Sequence, residues 1–160
     1  MIDQLGTIQQ RSLVIEQHMN ASVSDVWEAI VQPNGLAAWL APAEVDLRVG
    51  GKIVLRFENS DHVMKGEIRE LQPPEAIEYS WAGGERGSVV RFELAPEGDG
   101  TLLTLTHTLL EDGELAGFGA GWHHHLELLA AHVSSNDAEW DSNRFETLKA
   151  EYQRLEAAAR

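Results

Sequence analysis

The stretch ASVSDVWEAIVQPNGLAAWLAPAEVDLRVGGK, residues 21–52, decides how this chain folds. Ser22 can accept a hydrogen bond from the backbone N–H of Asp25, whose carboxylate can reach back, so a capping box opens a helix carrying Val26, Trp27 and Ile30. Gln32-Pro33-Asn34-Gly35 ends that helix, and a short turn or helix around Leu36 to Trp39 leads on to Pro42. Gly50-Gly51 permits positive φ and a sharp entry into the next strand. A capped helix, a Trp-anchored loop and a glycine-opened strand, in that order, predict a sheet wrapped around a cavity.

Upstream, Leu13, Ile15, Gln17 and Met19 alternate with Val14, Glu16 and His18, which predicts the first strand; residues 1–11 before it are expected to be loosely ordered. Downstream, strand-like segments at 52–58, 63–71, 77–81, 88–94 and 102–109 are separated by short runs of turn formers: Glu58-Asn59-Ser60-Asp61, Gln72-Pro73-Pro74-Glu75, Ala82-Gly83-Gly84-Glu85 and Pro96-Glu97-Gly98-Asp99-Gly100. Gaps of this length predict an antiparallel meander. Alternation puts Ile53, Leu55, Phe57, Ile77, Tyr79, Trp81, Val90, Phe92, Leu94, Leu103, Leu105 and His107 on the covered face. Arg56, Glu78, Arg91, Glu93, Thr104 and Thr106 fall on the other.

From Phe118 the period becomes helical, with Trp122, Leu126, Leu129 and Val133 at three- and four-residue steps, so a long helix must cover the sheet. Ser134-Ser135-Asn136-Asp137 interrupts it and offers a new N-cap for a helical extension over 138–158 with a Leu148, Tyr152 and Leu155 stripe. That stripe is expected to fold back onto its own sheet; left exposed, it would serve a homodimer. No repeat or linker divides the chain, so residues 1–160 read as a single domain.

Composition limits the function. A formal net charge of −14 opposes the phosphate contacts that drive nucleic-acid binding and repels an anionic membrane surface, so neither partner is expected. With no cysteine, no signal peptide and no long apolar run, a soluble cytoplasmic protein is expected. No nucleophile elbow, phosphate loop or dinucleotide fingerprint occurs, and no cofactor is expected. His123, His124 and His125 are consecutive on a helix and point about 100° apart, so they cannot share one ion, and no metal is expected.

In the set Ala21 with Val26-Trp27-Glu28-Ala29, Trp39, Gly50-Gly51, Gly66-Glu67-Ile68, Pro73-Pro74, Tyr79-Ser80-Trp81, Thr104-Leu105-Thr106-His107 and Gly121-Trp122 followed by Leu126 and Leu129, order and spacing resemble one family. The chain is similar to the START-like superfamily, and within it to the domain related to the activator of the heat-shock-protein-ninety ATPase. The resemblance implies an α+β helix-grip fold, like that of the birch pollen allergens, with a curved antiparallel sheet around a long C-terminal helix. Ser22 stands where the family commonly has Pro, and the run Trp122-His123-His124-His125 is outside its pattern.

That fold implies a partly apolar space between sheet and helix, lined or flanked by Trp39, Phe57, Tyr79, Trp81, Phe92, His107 and Trp122. The leading expectation is non-enzymatic binding of a small hydrophobic or amphipathic molecule there, with His107 or Tyr79 as polar anchor. The alternative is a protein-interaction module whose acidic surface docks on a chaperone ATPase or a regulatory protein. A third reading, by analogy of fold, is a cyclase- or dehydratase-like enzyme with His107 and Tyr79 as acid and base.

Overall fold

Ser22 starts the first helix as its chemistry demands. Its hydroxyl accepts from the Asp25 amide at 3.1 Å, and α1 (Val23–Val31) buries Val26, Trp27 and Ile30. The computed structural model describes residues 5–9, 12–58, 61–81, 87–108, 110 and 113–158. The expected turns at Asn59-Ser60 and Ala82-Gly83-Gly84-Glu85, and Leu109, lie outside the described residues. Gln32 closes α1, and Pro33 at once opens α2 (Pro33–Trp39), so the run that reads as a terminator is a corner between two helices. Proline fits there because the first N–H of a helix has no intrahelical acceptor. The Trp39 indole N–H donates to the Ala29 carbonyl at 2.8 Å and ties the end of α2 to α1.

Among the described residues eight strands follow the order β1-β2-β8-β7-β6-β5-β4-β3 with every pair antiparallel. They are β1 (Thr7–Gln9), β2 (Ser12–Met19), β3 (Ala43–Val45), β4 (Lys52–Phe57), β5 (His62–Gln72), β6 (Ala76–Trp81), β7 (Ser88–Glu97) and β8 (Gly100–Thr108). Within the segment 1–11 expected to be loosely ordered, Thr7–Gln9 pairs with β2 as an edge strand. The turn into β4 needs both glycines: Gly50 has φ 85°, and a Cβ on Gly51 would run into the Asp46 carbonyl oxygen. A register shift between Ile68 and Glu70 bends β5 against β6 and helps curve the sheet.

The faces follow the alternation. Ile53, Leu55, Tyr79, Trp81, Val90, Phe92, Leu103, Leu105 and His107 are buried, while Phe57, at the end of its strand, is only half-buried. On the outer face Arg91 pairs with Glu70, Glu78 and Glu93 at 2.6, 3.6 and 3.5 Å. The long helix, α3 (Leu115–Val133), starts one turn before Phe118 and covers the inner face.

The last helix departs from expectation twice. Asp141, not a residue of 134–137, caps α4 (Ser142–Ala158), its carboxylate accepting from the amides of Asn143 and Arg144 at 2.9 and 3.2 Å. And α4 lies chiefly on α3, touching the sheet only at its β1 edge, with Leu148 and Tyr152 buried. The stripe proposed for a dimer is therefore largely occupied within the chain.

Candidate functional site

Where the facing ends of β4 and β5, and the end of β6, meet the first turns of α3, packing stops short and leaves an open cleft of about 240 Å³. Phe57, Trp81, Phe118 and Trp122 give it aromatic walls. Trp81 is the hub, with ring centres 5.0 Å from Trp122, 6.0 Å from Phe57 and 6.4 Å from Phe118. His62 borders the rim, stacked on Phe57 at 6.1 Å, and Leu40, Gly117, Gly121 and His125 complete the lining.

Of the seven expected lining residues, Phe57, Trp81 and Trp122 meet here. Trp39, Tyr79, Phe92 and His107 do not border the cleft. Alternation identifies the covered face but not the depth along a strand. Trp81 pairs with Ser88 at a strand end, whereas Tyr79 and Phe92 sit further in, opposite Val90 and Ile77. There Trp39 meets Phe92 edge-on at 6.3 Å, and Trp39, Tyr79, Phe92 and His107, expected to line an internal cavity, are buried among packed neighbours. The Tyr79 hydroxyl is buried without a hydrogen-bond partner among the described residues, and burial drives its pKa well above the ordinary value.

His107 is wholly satisfied. The Trp122 indole N–H donates to its Nδ1 at 2.9 Å, which requires Nδ1 to be the unprotonated nitrogen. Nε2 then carries the hydrogen and donates to Ser88 Oγ at 2.7 Å, while Ser88 Oγ faces the Trp81 carbonyl at 3.4 Å. Burial lowers the His107 pKa to about 3, in keeping with a neutral ring. The partners of His107 are thus Trp122 and Ser88.

The three consecutive histidines face three surroundings. His123 Nδ1 meets the Tyr152 hydroxyl at 2.9 Å, and that hydroxyl accepts from the Gly6 amide at 2.8 Å. His124 Nε2 accepts from the Asp141 amide at 2.9 Å, so its Nδ1 donates to Glu127 at 3.0 Å. Burial alone would raise the Glu127 pKa, but hydrogen bonds from Arg144 and His124 outweigh it and hold the carboxyl below its ordinary range. His125 Nδ1 donates to the Trp39 carbonyl at 2.9 Å and turns its ring to the cleft. Burial lowers its pKa to about 4, against the opposing effect of the Trp39 bond, with the nearby His124 adding a small further lowering. Among the described residues no group of three or more His, Asp or Glu could hold a metal ion.

Sequence reasoning passed over His125, Phe118, Gly117 and Gly121 as cleft residues. A signal was present: glycines four residues apart in a helical run, followed four residues later by a histidine, occupy one face.

A curved antiparallel sheet gripping one long helix defines a helix-grip domain of the START-like superfamily. Within it, the family described as activator of Hsp90 ATPase homolog 1-like protein matches residues 20–134, well over half of the chain, and the chain belongs to that family. The crystal structure of CalU16 from Micromonospora echinospora is 29% identical, with a TM-score of 0.76 over 91% of this chain and 88% of that one. DynU16, from the dynemicin biosynthetic locus, is 21% identical at a TM-score of 0.73, over 79% of this chain and 48% of that one. The Aha1 dimer from Colwellia psychrerythraea is 18% identical at 0.70, over 79% and 98%. The last two likenesses are of fold alone. No curated protein gives a match. Among the described residues no helix is long and apolar enough to cross a membrane.

Proposed function

We propose that this domain binds a small apolar or amphipathic molecule in the cleft between the strand ends and α3 without transforming it. The observation that carries this reading is the cleft itself, a concave apolar surface walled by four aromatic rings that the described residues do not fill. Large aromatic side chains left facing an open space bury more apolar area when a ligand enters, which favours binding by roughly 25 cal/mol per Å² covered. The acid–base pair considered from the sequence gives no competing enzymatic reading. His107 has both nitrogens engaged, and neither it nor Tyr79 borders the cleft.

Titration with the uncharged fluorophore N-phenyl-1-naphthylamine tests the proposal. Saturable binding, accompanied by quenching of tryptophan emission through Trp81 and Trp122, is expected. Absence of saturation, together with native mass spectra showing no retained small molecule after purification from the source organism, would remove the reading.

Family membership and the charge of −14 favour a second reading, in which the acidic surface docks on a basic patch of a chaperone ATPase or a regulatory protein. Stimulation of a purified chaperone ATPase that weakens with added salt is its expected signature.

A further inference from the structure

Three glycines fall within five residues of α3, and packing explains one of them. A Cβ on Gly119 would lie 2.5 Å from the Tyr152 ring, so only glycine lets α4 approach. A Cβ on Gly117 or Gly121 meets no atom of the described residues within 4 Å. Glycine weakens a helix relative to alanine, and at these two positions the fold gains no close contact in return.

Gly117, Gly121 and His125 stand at i, i+4 and i+8, one row along the helix, and all three line the cleft. The row is about 12 Å long. It makes a bare strip of helix backbone flanked by aromatic walls, a surface shaped for a flat ring system. At about 240 Å³ the cleft is smaller than sites that enclose drug-sized molecules, so its occupant has the size of two or three fused rings.

His125 closes the strip. A carbonyl oxygen only accepts, so the contact with the Trp39 carbonyl requires the hydrogen on Nδ1. Nε2 of the neutral ring is then an acceptor, and it has no hydrogen-bond partner among the described residues. The ring is held between Phe57 and Trp140, with centres at 6.2 and 4.6 Å. Among the described residues no Lys or Arg lines the cleft to balance an anion.

We propose that the cleft takes a flat, uncharged aromatic ring system bearing a hydroxyl group, whose O–H donates to His125 Nε2 while its rings lie on the strip from Gly117 to Gly121. This rests on the binding reading above and adds the ligand's chemical class and the residues that select it. The low pKa of His125, about 4, keeps Nε2 an acceptor at neutral pH.

Calorimetric titration with 2-naphthol, 2-methoxynaphthalene and 2-naphthoate provides the test, since the three share a ring system and differ in donor and charge. Wild-type protein should bind 2-naphthol about tenfold tighter than 2-methoxynaphthalene, the value of one hydrogen bond to a neutral partner, and 2-naphthoate weakest. His125→Asn, whose amide can keep the bond to the Trp39 carbonyl, should abolish the preference and bring 2-naphthol and 2-methoxynaphthalene to equal affinity. His125→Gln, whose carbonyl oxygen reaches the Nε2 position, should restore it in part. Equal affinities for the first two ligands in wild type, a preference that survives His125→Asn, or tightest binding of 2-naphthoate overturns the assignment while leaving a ligand-binding cleft. Should His125→Asn not fold, Gly121→Ala takes its place: its methyl group occupies the strip and should weaken both neutral ligands about tenfold or more. Unaltered binding by that variant overturns the proposal. If none of the three ligands binds wild type, the underlying reading falls with it.

Discussion

The face of α3 turned to α4 and the face turned to the cleft use the same residue types to opposite ends. Towards α4, Gly119 is filled by the Tyr152 ring, His123 meets the Tyr152 hydroxyl, and His124 lies between Glu127 and the Asp141 amide. Towards the cleft, Gly117 and Gly121 face open space and His125 has one nitrogen engaged. Residue type therefore does not separate the packed positions on this helix from the ones proposed to face a ligand. What separates them is whether a partner occupies the space beside the side chain, because a buried group without one costs stability that a ligand can return.

Trp122 belongs to both settings, since it walls the cleft and donates to His107. Trp122→Ala is expected to have the largest effect, a loss of about 3–5 kcal/mol from the missing core volume alone. It also leaves His107 Nδ1 without its donor. Urea unfolding at equilibrium measures this; a loss under about 1 kcal/mol would mean that the ring belongs to the cleft and not to the core.

The second effect is pH dependence. His107 and His125 have pKa values near 3 and 4 in the folded chain, against 6.5 ordinarily. Above pH 6.5 both states are neutral and these groups add no pH dependence. Below it the unfolded chain takes up protons that the folded chain does not, so stability falls as pH drops towards 4, by up to about 1.4 kcal/mol per pH unit for each ring. Carboxylates titrate in the same range, so the informative quantity is a difference. Replacing His107 by Gln should flatten the slope between pH 6.5 and 4.5 by about 1.4 kcal/mol per unit. An unchanged slope would show that His107 protonates freely in the fold.

On the α4 face, Gly119→Ala forces a methyl group into the Tyr152 ring and should cost about 1–3 kcal/mol in spite of alanine's better helix propensity. Tyr79→Phe should act in the other direction, by about 1 kcal/mol, because it deletes a buried hydroxyl that has no partner among the described residues. If Tyr79→Phe destabilises instead, that hydroxyl has a partner in solution, and the core beside Trp81 is less closed than its packing indicates.

How much of this was legible in the sequence differs along the chain. The capping box at Ser22, the alternation through Tyr79, Phe92 and Leu105, and the helical period from Phe118 are local signals, and the elements formed where those signals lie. Thr7–Gln9 carries no such pattern and is strand only because β2 offers it an edge. Asp141 was invisible as a cap because nothing local separates it from the polar run at 134–137. At the cleft, strand alternation and helical period together pointed to Phe57, Trp81 and Trp122, but the same reading gave Trp39, Tyr79, Phe92 and His107 equal standing. Depth within a curved sheet depends on which strands cross above a position, and that is a property of the tertiary fold.

The smallest effect tests the comparison most directly, because it asks one substitution to change sign on one helix. Gly117→Ala and Gly121→Ala replace the poorest ordinary helix former by the best, with no neighbour to clash, so each should stabilise the chain by about 1 kcal/mol. For a chain of this size that is a rise in melting temperature of roughly 2–4 °C by calorimetry. Gly119→Ala, two residues from each, should lower it. If all three substitutions destabilise, the cleft face is as closed as the α4 face. If all three stabilise, α4 yields to the added methyl group, and the contrast between the two faces is one of flexibility, with packing no longer its cause.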